Sequence, residues 1–207
     1  MLLDADDSQL VLVDYQARLM PVIFENEIVI ANAVRLARMA RLMEVPIWGT
    51  AQNPEKLGQN LPDIQAIIDS AGGKTMAKMH FSAAADGLVE WLRPPVRKPS
   101  QGGNARSLPK HLQKPAEPEG EGRSMIVIAG CEAHVCLLQT ALELLEEEFD
   151  VWVVTDACSS RSERNRDAAF DRLAGNGAEL VTTEMVAFEW LRSCEHPAFR
   201  EMLAFVK

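Results

Sequence analysis

The chain has 207 residues, of which 47% are hydrophobic, and this length and composition are typical of one α/β domain with a substantial core. A net charge of −9 argues against partners such as nucleic acids or anionic membranes. No apolar run is long enough to span a bilayer, the start of the chain does not resemble a signal peptide, and four cysteines without a disulfide-like spacing predict a cytoplasmic protein.

The first predicted strand covers residues 9–13 and leads directly into Asp14. A carboxylate at the carboxyl end of a buried parallel strand lies at the edge where open α/β sheets bind their ligands. The local pattern alone is equally consistent with Asp14 as a turn residue. A helical stripe follows, and then a second predicted strand at residues 45–50. Gln52 and Asn53 come just after it, and their amides could bind a ligand or satisfy the loop's own backbone.

A third predicted strand, residues 74–77, places Lys78 at the same edge of the sheet. Ser82 is a candidate N-cap for the helix that follows. A lone lysine in this position is usually a solvated charge, so Lys78 becomes a candidate functional residue only if other functional groups lie beside it.

Residues 94–123 contain six prolines and four glycines and have almost no apolar side chains. Such a segment buries too little apolar surface to offset its ordering entropy. We therefore expect a single domain over residues 1–207 with a Pro/Gly-rich irregular insertion at about 94–123.

A change of hydrophobic period marks the centre of the chain. Met125 to Ala129 form a continuous apolar run, as in a strand buried on both faces, and Gly130 ends it. Helical spacing begins at Val135, so the segment is predicted to be a strand, a tight turn and a helix. Cys136 then falls in the first helical turn, where free N–H groups and the helix dipole favour a thiolate.

Two further strands are predicted at residues 150–155 and 178–182, with a helix between them at 165–173. Two more helices, at 184–191 and around 199–205, complete the chain. Strands and helices alternate throughout, which predicts a three-layer α/β/α, Rossmann-like fold around a mainly parallel six-stranded sheet.

Asp14, Lys78 and Cys136 each follow a predicted parallel strand, so their side chains can converge at one edge of the sheet. The three groups suit acyl transfer. Lys78 would favour the thiolate of Cys136, and Asp14 would accept the thiol proton and return it to a leaving nitrogen. Backbone N–H groups in the turn before Cys136 would stabilise an oxyanion.

Three motifs carry a family resemblance: LVLVDYQ at residues 10–16, KMHFS at 78–82 and AGCEAHVCLLQTA at 129–141. They resemble the isochorismatase-like cysteine hydrolases, and the resemblance extends over nearly the whole chain.

The resemblance implies six parallel strands and a catalytic triad of Cys136, Asp14 and Lys78. It also implies a non-proline cis peptide bond between Cys131 and Glu132, with the N–H groups of Glu132 and Cys136 as the oxyanion hole.

The chain departs from two branches of this family. Nicotinamidases carry metal ligands after the second strand, where this chain has the sequence AQNP at residues 51–54, so we expect neither a metal nor a cofactor. Isochorismatases proper lack a nucleophilic cysteine, so Cys136 argues against that activity. Cys131, His134 and Cys136 crowd one turn and lack a fourth ligand, which disfavours them as a metal site.

The sequence therefore predicts a metal-independent cysteine hydrolase of a small amide or related C–N bond, acting through an acyl-Cys136 intermediate. The alternative is a non-catalytic interaction protein that keeps the fold and docks through residues 94–123. The candidate substrate-pocket residues are Gln16, Gln52, Asn53, Phe81 and His134.

The expected partners are a small-molecule substrate and further copies of the chain in a homo-oligomer, a dimer or larger. The resemblance implies this assembly, and apolar surface on the terminal helices is consistent with it. The side chains expected to contribute to that surface are Phe188, Trp190, Phe199 and Phe205. Cys158 and Cys194 are expected to be buried and unreactive.

Overall fold

The computed structural model describes residues 1–94 and 122–206. Six strands form one sheet in the order β3-β2-β1-β4-β5-β6, and every neighbouring pair is parallel. The strands are β1 (Ser8–Val13), β2 (Ile47–Gln52), β3 (Lys74–Lys78), β4 (Met125–Gly130), β5 (Asp150–Val154) and β6 (Glu179–Val181). The predicted sheet is thus confirmed. The expected insertion, apart from its terminal residues, lies outside the described residues.

Helices cover both faces of the sheet, as the predicted three-layer fold requires. On one face α1 packs against α3, α7 and α8, and on the other α5 packs against α6. The helices are α1 (Asn26–Leu42), α2 (Pro54–Leu57), α3 (Pro62–Ser70), α4 (Leu88–Leu92), α5 (Leu138–Glu146), α6 (Glu163–Gly175), α7 (Thr183–Leu191) and α8 (Phe199–Val206).

The central strands β1 and β4 are buried along their whole length, which explains why both are continuous apolar runs. Strand β2 begins and ends two residues later than predicted. It extends to Gln52 because this residue still pairs with Lys78 of β3. This pairing brings Gln52 to the same edge as Lys78. At that edge Val13 pairs with Thr50 on one side and with Gly130 on the other.

The helix predicted after Ser82 is divided. The structure has a 3₁₀ turn at Ala84–Asp86 and then α4, with Gly87 between them at a φ of 99°. Ser82 is therefore not the N-cap of a long helix: Ala83 precedes the 3₁₀ turn, and the Ser82 hydroxyl accepts a local hydrogen bond from the Ala84 N–H at 3.2 Å.

Gly130 allows the close approach of β4 to β1. Its φ is 157°, and a Cβ at this position would lie 2.3 Å from the Val13 carbonyl oxygen. We expect Gly130→Ala to lower the free energy of unfolding by about 1–3 kcal/mol, measured by urea denaturation. Gly175→Ala is the matched control, because a Cβ there meets no atom within 4 Å and Gly175 ends a helix. Equal stability of the two variants would contradict this reading of the turn.

Some surface expectations are wrong. Trp190 is buried and donates a hydrogen bond from Nε1 to the Ser8 hydroxyl, whereas Phe188 is 42% exposed. Phe199 and Phe205 are partly buried against the core. Cys194 is exposed and not buried as expected, because it lies between α7 and α8.

Over residues 1–94 and 122–206, the structure contains no helix with the length and apolar character that crossing a membrane requires.

Candidate active site

A buried ion pair lies at the carboxyl edge of the sheet. The Lys78 ammonium is 2.8 Å from Asp14 Oδ2, and neither side chain has exposed surface. The Thr50 hydroxyl donates a hydrogen bond to Asp14 Oδ1 at 2.7 Å, so both carboxylate oxygens have a donor. Because Thr50 pairs with Val13 in the sheet, it stands beside Asp14. The arrangement fixes the orientation of the carboxylate.

Lys78 has more acceptors than Asp14 alone. Its ammonium also donates to Gln52 Oε1 at 2.7 Å, to the Phe81 carbonyl at 3.0 Å and to the His80 carbonyl at 3.4 Å. A buried ammonium is tolerated only when its charge is paired and its N–H groups find acceptors. The surroundings of Lys78 meet both conditions and hold the ammonium in one place.

The Cys136 thiol lies beside this pair, with Sγ 3.9 Å from Gln52 Oε1. Cys136 is only 6% exposed. It sits in a π-helical turn, Ala133–Leu137, that precedes α5, and not in the first turn of an α-helix as predicted. The Leu137 N–H donates to the Glu132 carbonyl, five residues earlier. Single π-helical turns are frequent at functional sites.

Burial raises the pKa of the Cys136 thiol to about 12, and the negative charge of Asp14 acts in the same direction. Lys78 opposes this effect and lowers the pKa, but it does not compensate for the burial. Lys78 acts in the expected direction and favours the thiolate, but burial outweighs it and favours the protonated thiol. An attack by sulfur then requires a base that accepts the proton during the reaction, and the Asp14 carboxylate, whose charge helps to raise the thiol pKa, is the candidate.

The raised pKa predicts slow alkylation of Cys136. At about pH 8, iodoacetamide should label the exposed Cys194 before Cys136, because the thiolate is the nucleophile. The rate at Cys136 should keep rising with pH beyond about pH 10, because the thiol is still mostly protonated there. Peptide mass spectrometry measures both sites in one sample. A plateau of the Cys136 rate near neutral pH would contradict the raised pKa.

The turn before Cys136 contains a cis peptide bond. It lies between Cys131 and Glu132, which is the bond where the resemblance implies that geometry. The next residue is tied to a neighbouring loop, because the Ala133 N–H donates to the Ser159 carbonyl. The Glu132 carboxylate accepts from the Arg161 backbone N–H and Nε, both at 2.9 Å, which anchors the turn.

Comparison with known proteins connects this geometry to a family. Residues 8–185 match the isochorismatase domain. The chain belongs to the isochorismatase domain family. Isochorismatase domain-containing protein 2A of Mus musculus is 33% identical over 205 residues, which cover 98% of this chain and 84% of that protein. The protein 2 of Danio rerio is 31% identical, and the match covers 97% and 87%.

Solved structures share the fold over the whole chain. MAR1 ribonuclease from Caenorhabditis elegans superposes with a TM-score of 0.81 at 26% identity, covering 100% of this chain and 92% of that one. YcaC from Pseudomonas aeruginosa is described with hexane-2,5-diol and covalent acrylamide. It superposes with a TM-score of 0.79 at 25% identity, covering 99% of this chain and 91% of that one. YcaC from Escherichia coli, described as an octameric hydrolase of unknown specificity, superposes with a TM-score of 0.77 at 26% identity. The match covers 100% of this chain and 87% of that one.

Two predicted pocket residues of this isochorismatase-like chain are engaged in internal hydrogen bonds. Gln16 is buried, and its amide nitrogen donates to the carbonyls of Gln52 and Gly58 while its oxygen accepts from the Gln52 N–H. The Gln52 amide accepts from Lys78 and donates to the Met79 carbonyl at 2.8 Å. Gln16 thus links the end of β2 to the backbone at Gly58, and Gln52 holds Lys78 beside the thiol.

The other three predicted pocket residues differ in their positions. Phe81 is 53% exposed in the loop after β3, and its own backbone carbonyl accepts a hydrogen bond from Lys78. Asn53 precedes α2, has a φ of 38° and donates from its backbone to the Lys78 carbonyl. His134 is half-buried, with Nδ1 2.9 Å from the Ser160 hydroxyl. The structure therefore brings Phe81, but not Asn53 or His134, into the immediate surroundings of the Lys78 ammonium.

The position that holds metal ligands in nicotinamidases carries Gln52, whose amide is bound to Lys78. Over residues 1–94 and 122–206, no three His, Cys, Asp or Glu side chains form a group that could hold a metal ion. Two cavities of about 430 and 470 Å³ lie away from Cys136, one lined by Leu2 and Phe188 and the other by Ile28 and Phe170. The thiol itself is nearly enclosed by the protein.

Proposed function

We propose that this chain is a metal-independent cysteine hydrolase that cleaves the C–N bond of a small amide through an acyl-Cys136 intermediate. The observation that carries this proposal is the buried Lys78 ammonium, which joins Asp14 to Gln52 directly beside the Cys136 thiol. Burial of an ion pair costs desolvation energy, and a buried ion pair beside a nucleophilic side chain is typical of functional sites.

In the first half of the reaction, the Cys136 sulfur attacks the amide carbonyl carbon while Asp14 accepts the thiol proton. A C–S bond forms, and the carbonyl oxygen becomes an oxyanion near the N–H groups of Glu132 and Cys136. The intermediate then expels the amine: the C–N bond breaks, and Asp14 returns its proton to the leaving nitrogen. The products of this half are a free amine and a thioester on Cys136.

In the second half, water hydrolyses the thioester. Asp14 accepts a proton from the water as its oxygen attacks the acyl carbon, and the C–S bond breaks when the second oxyanion collapses. The proton returns to the departing sulfur and restores the thiol. Lys78 keeps its charge throughout and stabilises negative charge on Asp14 and on the sulfur.

The descriptions of two solved relatives bear on the proposed substrate. The YcaC protein of Pseudomonas aeruginosa is described with covalent acrylamide, which is both a small amide and an electrophile. The Escherichia coli YcaC is described as a hydrolase of unknown specificity. The first supports a nucleophile that reacts with a small amide, the second supports hydrolysis, and neither identifies the substrate of this chain.

A ribonuclease is the other activity that a relative suggests, because the Caenorhabditis elegans neighbour is described as MAR1 ribonuclease. The net charge of −9 disfavours it, since binding to the phosphate backbone depends on clustered Lys and Arg. We infer that nucleic acid is not a substrate. A labelled RNA oligonucleotide should stay intact with the protein, and cleavage that is lost in Cys136→Ala would reverse this inference.

The first experiment is a panel of small primary amides, such as formamide, acetamide, lactamide and benzamide, with release of ammonia as the readout. We expect ammonia from at least one amide, at a rate that scales with enzyme concentration and survives treatment with EDTA. A non-catalytic interaction protein would release none. Absence of turnover over the whole panel, with Cys136 shown by mass spectrometry to be unmodified, would count against the hydrolase and favour that alternative.

We propose that the protein acts as a homo-oligomer in the cytoplasm. One solved relative is an octamer, and apolar side chains including Met185 and Phe188 are exposed on α7. All four cysteines are free, as expected in a reducing compartment. Light scattering at micromolar concentration should give at least twice the mass of one chain, and the mass of a single chain would reject the assembly.

A further inference from the structure

The loop after β3 supplies two of the acceptors that hold Lys78. Residues 79–83 connect β3 to the 3₁₀ turn, and the carbonyls of His80 and Phe81 accept from the Lys78 ammonium at 3.4 and 3.0 Å. The far end of the loop is fixed to α5, where the Ser82 hydroxyl donates to Glu143 at 2.6 Å. The orientation of the two carbonyls therefore also depends on the contacts that hold the near end of the loop, at Met79 and His80.

Asp86 holds the near end. Its Oδ2 accepts from the N–H groups of Met79 and His80 at 2.8 and 3.0 Å, and its Oδ1 is 2.8 Å from His80 Nδ1. The hydrogen bond from the His80 ring, helped by the two N–H groups, holds the pKa of the Asp86 carboxyl below its usual range. The carboxylate is thus ionised at neutral pH and clamps two successive peptide units. These units lead directly to the carbonyls that face Lys78.

We propose that Asp86 is a positioning residue for the reaction: by clamping the loop at Met79 and His80, it fixes the carbonyls that direct the Lys78 ammonium. The inference rests on the proposed function, because Lys78 matters for catalysis only through Asp14 and Cys136. Asp86 does not contact the thiol, and its effect is transmitted through the peptide units it binds. Without the Asp86 carboxylate, the Lys78 ammonium still donates to Asp14 and Gln52. The carbonyls of His80 and Phe81, its other two acceptors, are then no longer held in a fixed position.

Three variants test this role: Asp86→Ala removes all three hydrogen bonds, Asp86→Asn keeps an amide oxygen that can accept the backbone N–H groups, and Asp69→Ala is the matched control. Asp69 is an exposed carboxylate that accepts one side-chain hydrogen bond from Gln65, on α3. The readouts are the rate of Cys136 alkylation by iodoacetamide at about pH 9, and kcat and KM for the best amide of the panel.

A less well placed ammonium stabilises the thiolate less, so Asp86→Ala should slow alkylation of Cys136 by about threefold to tenfold, as expected for a pKa rise of about half to one unit. It should lower kcat by a similar factor with KM unchanged. Asp86→Asn should restore most of both rates, and Asp69→Ala should match the wild type. If Asp86→Ala does not fold, Asp86→Ser, which is too short to bridge both N–H groups, serves in its place.

Faster alkylation in Asp86→Ala would mean that the loop only shields the thiol, and a rate within twofold of the wild type would mean that Asp86 does not direct Lys78. Either result overturns the proposal. Alkylation needs no substrate, so the two proposals fail separately. Slower alkylation without amide turnover by the wild type would reject the hydrolase and keep the role of Asp86. Amide turnover by the wild type, together with unchanged alkylation in Asp86→Ala, would keep the hydrolase and reject the role of Asp86.

Discussion

Replacement of Cys136 by alanine is expected to lower amide turnover by at least about 10⁴-fold, because it removes the proposed nucleophile that forms the acyl intermediate. The folded state should persist, since the change removes one small buried sulfur from a turn that is anchored by Glu132 and Arg161. Ammonia release and the melting temperature are the two measurements.

Cys158→Ala is the matched control for this variant. Cys158 is also a buried free cysteine, and burial raises the pKa of its thiol as well, but no contact joins it to Lys78. Its alanine variant should retain turnover. Residual turnover in Cys136→Ala that is comparable to that of Cys158→Ala would exclude Cys136 as the nucleophile.

Lys78→Met is expected to have the largest effect on stability, a loss of about 3–5 kcal/mol in the free energy of unfolding. Methionine has nearly the shape of the lysine stem, but the substitution leaves the Asp14 carboxylate buried without its cation. Urea denaturation of wild type and variant at neutral pH measures the loss. Turnover should be lost in the same variant, because the charge that stabilises the thiolate is gone.

A double-mutant cycle separates the charge from the packing. In Asp14→Asn with Lys78→Met, no buried charge remains unpaired, so the double variant should be less destabilised than the sum of the two single variants. The difference should reach the upper part of the range of about 0.5–3 kcal/mol that is usual for contacting residues. Strictly additive losses would mean that the pair contributes only packing.

The convergence of Asp14, Lys78 and Cys136 could be predicted from the sequence because parallel strands end at one edge. Asp14 directly follows β1, Lys78 ends β3, and Cys136 follows β4 after the turn at residues 131–135. The apolar runs of β1 and β4 are easy to recognise, whereas β3 is only weakly apolar. The spatial neighbours of these residues were harder to assign. Thr50 ends the predicted second strand, and its register opposite Val13 would have identified it as a partner of Asp14.

The sequence did not predict that Gln52 lies within β2, and it did not indicate Asp86 at all, for two different reasons. Strand β2 continues to Gln52 only because β3 pairs with it there, and the periodicity of one strand contains no information on the length of its partner. Asp86 acts on residues six and seven positions earlier through a loop whose path depends on its contacts with α5. No local pattern predicts such a path.

The ionisation of Cys136 shows the limit of a local argument. The sequence correctly indicated a cation beside the thiol, and Lys78 does lower its pKa. Burial and the Asp14 charge outweigh that effect, and both depend on how the surrounding elements pack. The π-helical turn also differs from the α-helical start on which the dipole argument relied. The proposed mechanism therefore depends on Asp14 as the acceptor of the thiol proton more than on stabilisation of the thiolate by Lys78.

The most direct test of the central claim is acid quenching during turnover of the best amide, followed by intact-protein and peptide mass spectrometry. The account predicts a transient adduct with the mass of the acyl group, located on Cys136 and absent from Cys136→Ala, with the amine released first. The wild-type adduct should disappear as the substrate is consumed. Turnover with no acyl adduct on Cys136, or with the adduct on another residue, would contradict it.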